Sequence, residues 1–104
     1  MSEITAKRDP KRCPTHPGVV LVEALESVGE TKVRIAAHLD ISRQHLNDIL
    51  ACRKPVTANM AVRLGKLLGN GPDIWLRMQA AHDAWHAARA VDLDRIPTLK
   101  PNAA

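Results

Sequence analysis

The sequence predicts an all-α domain of five helices with a flexible tail at each end. Apolar residues recur every three or four positions along most of the chain, and no segment shows the alternating pattern of a strand. Capping residues, glycines and prolines separate these apolar stripes. Because 104 residues support only one hydrophobic core, we expect a single domain. The parts are a flexible basic N-terminal arm at 1–15, a helical domain at 16–90 and a flexible C-terminal tail at 91–104.

The first helix is expected to begin at Pro17 and to end before Gly29. Proline suits the first position of a helix, and glycine suits the position just after its end. Leu21, Leu25 and Val28 would form the inward stripe of this helix.

Two short helices follow and are joined by a tight turn. Thr31 and Ser42 are good N-caps for the helices that follow them. Asp40-Ile41 leaves room only for a sharp turn, and aspartate tolerates the left-handed backbone better than most residues. The pair is a helix-turn-helix that spans about residues 32–51. The residues expected to point inward from it are Val33, Ala36, Leu39, Ile41, Leu46, Ile49 and Leu50.

A fourth helix is expected to start after the N-cap Thr57 and to run to about Leu68. Val56 and Ala61 can make the small apolar contact that fixes the entry of the chain. Gly65 inside this helix should cost about 1 kcal/mol relative to alanine. The expected core residues of the helix are Met60, Leu64, Leu67 and Leu68.

Pro72 opens a fifth helix that is expected to run to about Ala90. One stripe along it contains Trp75, Met78, His82, Trp85 and Arg89. We expect Trp75 to pack inside the bundle. Because a bundle this small has too little surface to cover the whole stripe, we expect Trp85 to pack against a second subunit.

The exposed face of the third helix carries side chains that suit contact with DNA bases. The candidates for base reading are Arg43, Gln44, Asn47 and Asp48. Arginine suits guanine, asparagine and glutamine suit adenine, and aspartate can accept from a cytosine amino group. The second helix of a helix-turn-helix lies in the major groove, so these side chains would reach base edges. The candidates for contact with the DNA backbone are Lys32, Ser42, His45, Arg53 and Lys54.

Positive charge is concentrated in the same region. Residues 31–70 carry seven basic and two acidic side chains, which leaves +5, whereas residues 17–30 carry three glutamates and no basic residue. The coincidence of positive charge and helix-turn-helix predicts a polyanion-binding face.

Two segments that flank the helix-turn-helix carry a family resemblance. HPGVVLVEAL at 16–25 is similar to the opening HPGE-x-L-x-E-x-L of HigA-type antitoxins, the VapI group. GNGPDIWLRMQAAHDAW at 69–85 is similar to the G-x-S/T-P-E-x-W-L-x-L-Q segment of that group. The likeness to this group covers about residues 14–86, and five helices with the helix-turn-helix formed by the second and third resemble the wider Cro/C1 repressor class, or XRE family. Val19 departs from the acidic residue after HPG, and Asp40 departs from the usual glycine of the turn.

This resemblance implies a Cro/C1 repressor-like DNA-binding domain and an antitoxin of a type II toxin–antitoxin module. Such antitoxins bind a palindromic operator in double-stranded DNA as homodimers and repress their own operon. They also neutralise a small endoribonuclease of the RelE/HigB type. The alternatives are a stand-alone or phage-type repressor without a toxin and an adaptor that has lost DNA binding.

A competing signal lies in the fifth helix, where His82-Asp83-Ala84-Trp85-His86 resembles the H-E-x-x-H motif of zinc hydrolases. Aspartate replaces the catalytic glutamate, and no third ligand is obvious downstream. The zinc hydrolase therefore stays a remote alternative, and we expect no metal, no cofactor and no enzymatic activity.

The composition bounds the location of the protein. No apolar run is long enough for a membrane span, and the N-terminus lacks the apolar core of a signal peptide. We expect a cytoplasmic protein without a membrane partner. Cys13 and Cys52 lack a CxxC spacing, so we expect two thiols without a disulfide framework.

Overall fold

A computed structural model describes residues 11–102. The predictions for residues 1–10 of the arm and for residues 103–104 of the tail lie outside this range. The described chain forms five α-helices and one short 3-10 helix, η1. Their bounds are α1 Pro17–Val28, α2 Lys32–Leu39, α3 Arg43–Leu50, α4 Ala58–Leu68, α5 Asp73–Ala90 and η1 Leu93–Arg95. The all-α architecture and the five predicted helices are confirmed.

The starts of three helices are fixed by hydroxyl caps. The hydroxyls of Thr31, Ser42 and Thr57 accept hydrogen bonds from backbone N–H groups of the first turns of α2, α3 and α4, at 3.2, 3.0 and 3.2 Å. A short polar side chain at this position satisfies an amide that has no partner within the helix. The predicted N-caps are therefore confirmed.

His16 is the cap of α1, a role that the sequence did not predict. Its Nδ1 accepts a hydrogen bond from the Gly18 N–H at 2.9 Å, and its side chain is buried. Burial lowers the pKa of His16, and the neighbouring His82 lowers it further. The low pKa favours the neutral ring, and only an unprotonated Nδ1 can accept this bond.

The turn between α2 and α3 depends on one residue with a left-handed backbone. Asp40 has a φ of 58° and a ψ of 47°, and its N–H donates to carbonyls at the end of α2. The Ile41 N–H also donates to the Ala36 carbonyl at 3.0 Å. These bonds satisfy the free carbonyls of the helix end and reverse the chain within two residues. The predicted tight turn is confirmed.

The core brings together residues from all five α-helices and from the loop before α4. Its buried apolar members are Leu21, Leu25, Ile35, Ala36, Leu39, Leu46, Ile49, Val56, Met60, Ala61, Leu64 and Trp75. The helix pairs in contact are α1 with α3, α2 with α3, α2 with α4, α1 with α5 and α4 with α5. The helix-turn-helix therefore packs against α1 through α3 and against α4 through α2.

Three inward positions were predicted wrongly. Val28 is 48% exposed, Val33 53% and Leu67 37%. The buried face of α2 is centred on Ile35 and Leu39 because this helix packs against both α3 and α4, which turns Val33 outward. Helical spacing alone does not tell which of two adjacent stripes meets a neighbouring helix.

Two glycines allow backbone to approach backbone. A Cβ on Gly18 would collide with the Ile49 carbonyl oxygen, so glycine is needed where α1 crosses the end of α3. A Cβ on Gly65 would collide with the backbone of Gly71 and Pro72. The propensity cost that the sequence predicts for Gly65 is therefore offset by close packing of the loop before α5.

Candidate DNA-binding interface

The first turn of α3 presents two of the predicted base-reading side chains. Arg43 and Gln44 are exposed at the start of this helix, while Leu46 and Ile49 on the other side are fully buried. His45 and Asn47 are half-buried. The buried anchors hold the helix firmly, so the exposed face has a fixed orientation from which side chains can reach base edges.

Asp48 is the centre of a polar network at the far end of α3. Its Oδ1 accepts from Gln44 Nε2 at 2.9 Å and from the Arg53 guanidinium at 3.0 and 2.8 Å. Lys54 Nζ lies 3.8 Å from its Oδ2. The hydrogen bond from Arg53 holds the pKa of this carboxyl below its usual value, against an opposing effect of partial burial.

This network changes what we expect of Asp48. Its side chain is only 14% exposed, and Oδ1 is already engaged by Gln44 and Arg53. Base reading by Asp48 stays a prediction, but the geometry favours a positioning role in which the carboxylate orients these two side chains. It also offsets positive charge at the edge of the proposed DNA face.

The loop after α3 places the two predicted backbone-contact cations. The N–H groups of Arg53 and Lys54 donate to the Asp48 carbonyl at 2.8 and 3.2 Å. Cys52 between helix and loop has a left-handed φ of 63°. Both cationic side chains are exposed, so this end of α3 carries positive charge at the surface.

Lys32 lies at the first position of α2. It lines an open groove of about 640 Å³ between α1, α2 and α3. Asn47 and Arg53 line the same groove. Candidates from three separate stretches of sequence are therefore brought together around α3. Ser42 sits apart from this groove and acts as the N-cap of α3, with its hydroxyl oxygen bonded to the His45 N–H.

Arg63 in α4 supports the turn before α3, a role that was not predicted from the sequence. Its Nη1 donates to the Leu39 carbonyl at 2.7 Å, and its Nε donates to Asn59 Oδ1 at 2.7 Å. The guanidinium thus satisfies a carbonyl at the end of α2 and ties the turn to α4. The only sequence signal was an arginine on α4 without an acidic residue one turn away.

The predicted stripe on α5 divides into a core half and an outer half. Trp75 is buried, with its Nε1 donating to Asn70 Oδ1 at 3.2 Å, and Met78 packs at the edge of the core. His82 and Trp85 are half-buried. The Arg89 guanidinium lies 3.4 Å from the centre of the Trp85 ring. Packing of Trp75 inside the bundle is confirmed.

Helix α3 has an exposed polar face, is held by a capped turn and has cations beside it. These features define a helix-turn-helix DNA-binding domain. Comparison with known proteins identifies the family within this class. Antitoxin HigA-1 of Vibrio cholerae is 35% identical over 79 residues, which cover 75% of this chain and 74% of that protein. The chain belongs to the HigA-type family of helix-turn-helix antitoxins.

Solved structures agree with this assignment. A HigA-family addiction-module antidote protein from Coxiella burnetii has a TM-score of 0.76 and 30% identity, and the match covers 86% of this chain and 100% of that chain. Pseudomonas aeruginosa antitoxin HigA, solved with the higBA promoter, has a TM-score of 0.72 and 27% identity over 85% of this chain and 97% of that one.

One further relative matches over a smaller part of its length, and one further comparison found no match. Virulence-associated protein A' of Dichelobacter nodosus is 34% identical over 71 residues, but the match spans only 62% of that protein. No protein-family model matches the chain.

The family assignment settles one alternative of the sequence analysis. The relatives are antitoxins and DNA-binding regulators, which are not enzymes, so the zinc hydrolase alternative is wrong. Asp83, which occupies the position of the catalytic base, accepts a hydrogen bond from Gln79 Nε2 at 2.9 Å. The Gln79 Oε1 in turn accepts from the Val56 N–H at 2.7 Å, so the carboxylate belongs to a structural chain. None of the described helices is both long and apolar enough to cross a bilayer.

Proposed function

We propose that this protein binds its own operator as a homodimer, represses its operon and neutralises a small endoribonuclease of the RelE/HigB type. The observation that carries the DNA half is the exposed first turn of α3 with Arg43 and Gln44. The Pseudomonas aeruginosa antitoxin HigA, solved with the higBA promoter, supports it. A protein with this function works in the compartment that holds the DNA, which for a bacterial operon is the cytoplasm.

Repression follows from occupancy of the operator. A two-fold dimer places two α3 helices in successive major grooves, at half-sites about 34 Å apart or a multiple of that distance. Arg43, Gln44 and Asn47 read base edges, while Lys32, Arg53 and Lys54 neutralise phosphates beside them. Bound in this way, the dimer excludes RNA polymerase from the promoter.

The DNA half is tested with the segment immediately upstream of the coding sequence. DNase I footprinting should show protection of a palindrome at nanomolar protein, and a reporter driven by this segment should fall when the protein is expressed. A scrambled palindrome of the same base composition is the control. Equal protection of both segments would contradict sequence-specific repression.

For the toxin half we propose an acidic surface on and after α1, made of Glu23, Glu26 and Glu30. All three side chains are exposed, and a ribonuclease presents basic surface to its RNA. Glu30 is paired with Arg34 at 3.1 Å, which leaves the other two as the stronger candidates. Glu26 and Glu30 also line the groove that contains Asn47 and Arg53. A toxin seated there is expected to weaken operator binding.

Co-expression with the neighbouring gene tests the antitoxin role. We expect that gene product to arrest growth alone, to be harmless with this protein and to co-purify with it. Reversal of Glu23, Glu26 and Glu30 to lysine should abolish capture, while reversal of Asp73, Asp92 and Asp94 should not. A harmless neighbour that does not co-purify would favour the stand-alone repressor. Unchanged capture by the first variant would exclude the proposed surface.

A further inference from the structure

Three side chains that can bind a metal ion lie close together where the segment before α1 contacts α5. Cys13 Sγ lies 3.6 Å from His82 Nδ1 and 3.5 Å from His86 Nε2. The ligand atoms of all three lie within 4.8 Å of one another. Cys13 lies 69 residues upstream of His82, outside the motif that contains the two histidines, and was therefore not predicted as a ligand.

The two sulfur–nitrogen spacings are those of a zinc coordination shell. Zn–S bonds of about 2.3 Å and Zn–N bonds of about 2.0–2.1 Å at a tetrahedral angle separate the sulfur and nitrogen by about 3.6 Å. Both sulfur–nitrogen distances match this value. The two histidines are four residues apart on α5, which places their rings on the same face of the helix.

The surroundings support a ligand role over a chance meeting. Cys13 and His82 are half-buried, which limits competition by water, and His86 is exposed, which leaves a route for the ion. Pro14 follows Cys13 and restrains the chain there, and its carbonyl lies 2.9 Å from His82 Nδ1. Without an ion, Nδ1–H donates to this carbonyl. Binding of an ion through Nδ1 requires the other tautomer and a small shift of the ring away from the carbonyl, because two lone pairs would otherwise face each other.

We propose that Cys13, His82 and His86 form a Zn²⁺ site with three protein ligands and an open fourth position. One thiolate and two imidazoles are typical zinc ligands, and they are softer than the oxygen ligands that Mg²⁺ and Ca²⁺ prefer. When the ion binds, the Cys13 thiol loses its proton to solvent and its sulfur forms the Zn–S bond, with no change of oxidation state. Water fills the fourth position in the isolated protein.

The site has a structural consequence. Zn²⁺ would clamp the segment before α1 to the C-terminal half of α5, where the apolar core does not reach. His16 caps α1 and its ring lies 5.1 Å from that of His82, so the clamp also supports the start of α1. An ion that binds only the folded state raises the midpoint of thermal unfolding. This proposal concerns the isolated protein and does not depend on DNA or toxin binding.

The test is a titration of the metal-free full-length protein, kept reduced, with Zn²⁺ and with Co²⁺ as a spectroscopic probe. Calorimetry should give one Zn²⁺ per chain. Co²⁺ should give the intense visible bands of a tetrahedral site and a thiolate charge-transfer band in the near ultraviolet. Zn²⁺ should raise the unfolding midpoint.

Single substitutions assign the ligands. Cys13→Ser and His86→Gln should each weaken Zn²⁺ binding by at least about tenfold, since the loss even of an outer partner costs that much. Cys13→Ser should also remove the charge-transfer band. Cys52→Ser, which removes the other free cysteine, and His38→Gln on α2 are matched controls that should change nothing.

Three results would overturn the proposal. They are the absence of stoichiometric binding, a charge-transfer band that survives Cys13→Ser, and a loss of binding that follows Cys52→Ser instead. Circular dichroism of each metal-free variant shows whether it is folded. If Cys13→Ser does not fold, Cys13→Ala and His86→Gln carry the assignment by the same criteria.

Discussion

At the scale of single residues, Asp48 shows how one carboxylate can organise a binding face. It holds Gln44 within α3 and Arg53 after it, so that two predicted DNA contacts depend on a residue that faces the protein. The low pKa of Asp48 has the same origin, because the hydrogen bonds stabilise its charged form. An acidic residue in a basic region is therefore consistent with DNA binding.

Asp48→Asn is expected to lower the stability of the free protein at pH 7. The depressed pKa means that the folded state favours the carboxylate more than the unfolded state does. This stabilisation is complete above the unfolded pKa, near 4, and is lost as the pH falls through the folded value. Urea unfolding at pH 7 and at pH 3 measures the effect, and the difference between wild type and variant should shrink at pH 3. A difference that does not depend on pH would contradict the ionic origin.

Some residue roles could be predicted from the sequence because they depend on neighbours in the chain. The caps Thr31 and Ser42 and the left-handed Asp40 are of this kind, since each acts within a few positions. The roles of Cys13 and Arg63 depend on partners brought close only by the fold. No local pattern identifies such residues.

At the scale of elements, helix bounds were more predictable than helix faces. Hydroxyl caps fix where α2, α3 and α4 start, glycines fix where α1 and α4 end, and these signals are local. Which stripe is buried depends on the helices packed against it, and α2 packs against both α3 and α4. The length of α2 was therefore predicted correctly, and its buried face was predicted incorrectly at Val33.

The Gly65→Ala substitution distinguishes the effect of local helix propensity from the effect of packing between elements. Helix propensity alone predicts a gain of about 1 kcal/mol. The structure predicts a loss of about 1–3 kcal/mol, because the new Cβ would collide with the backbone of Gly71 and Pro72. Chemical denaturation gives the sign directly. Ala37→Gly at an exposed position of α2 is the control for propensity and should cost about 1 kcal/mol. A stabilised Gly65→Ala protein would show that the loop is not packed against α4.

At the scale of the whole molecule, the arrangement of charge and apolar surface bears on assembly. The helix-turn-helix region carries the positive charge, and α1 with the loop after it carries three glutamates. The outer half of the α5 stripe lies beyond the core, with Trp85 half-buried within one chain. We propose that this stripe continues into the dimer contact, which would set the spacing of the two α3 helices.

Trp85→Glu is expected to dissociate the dimer while each monomer stays folded. The substitution removes the apolar ring from the seam and buries a carboxylate there, and desolvation of an ion costs several kcal/mol even with Arg89 close by. The dissociation constant should therefore rise at least about 100-fold. Analytical ultracentrifugation measures the mass, and circular dichroism checks the fold. Ala88→Glu, at an exposed position of the same helix, is the control. A Trp85→Glu protein that sediments as an unchanged dimer would place the seam elsewhere.

The proposed repression depends on α3 reading the operator while neighbouring cations contact phosphate. A salt titration of operator binding with wild type, Arg43→Ala and Lys32→Ala tests it most directly. Arg43→Ala should cost about 1–3 kcal/mol on the operator, relax the preference at one base position and leave non-specific binding nearly unchanged. Lys32→Ala should weaken all sequences alike and reduce the slope of log affinity against log salt by about one. If both variants bind the operator as tightly as the wild type does at every salt concentration, the assignment of α3 as the recognition helix is contradicted.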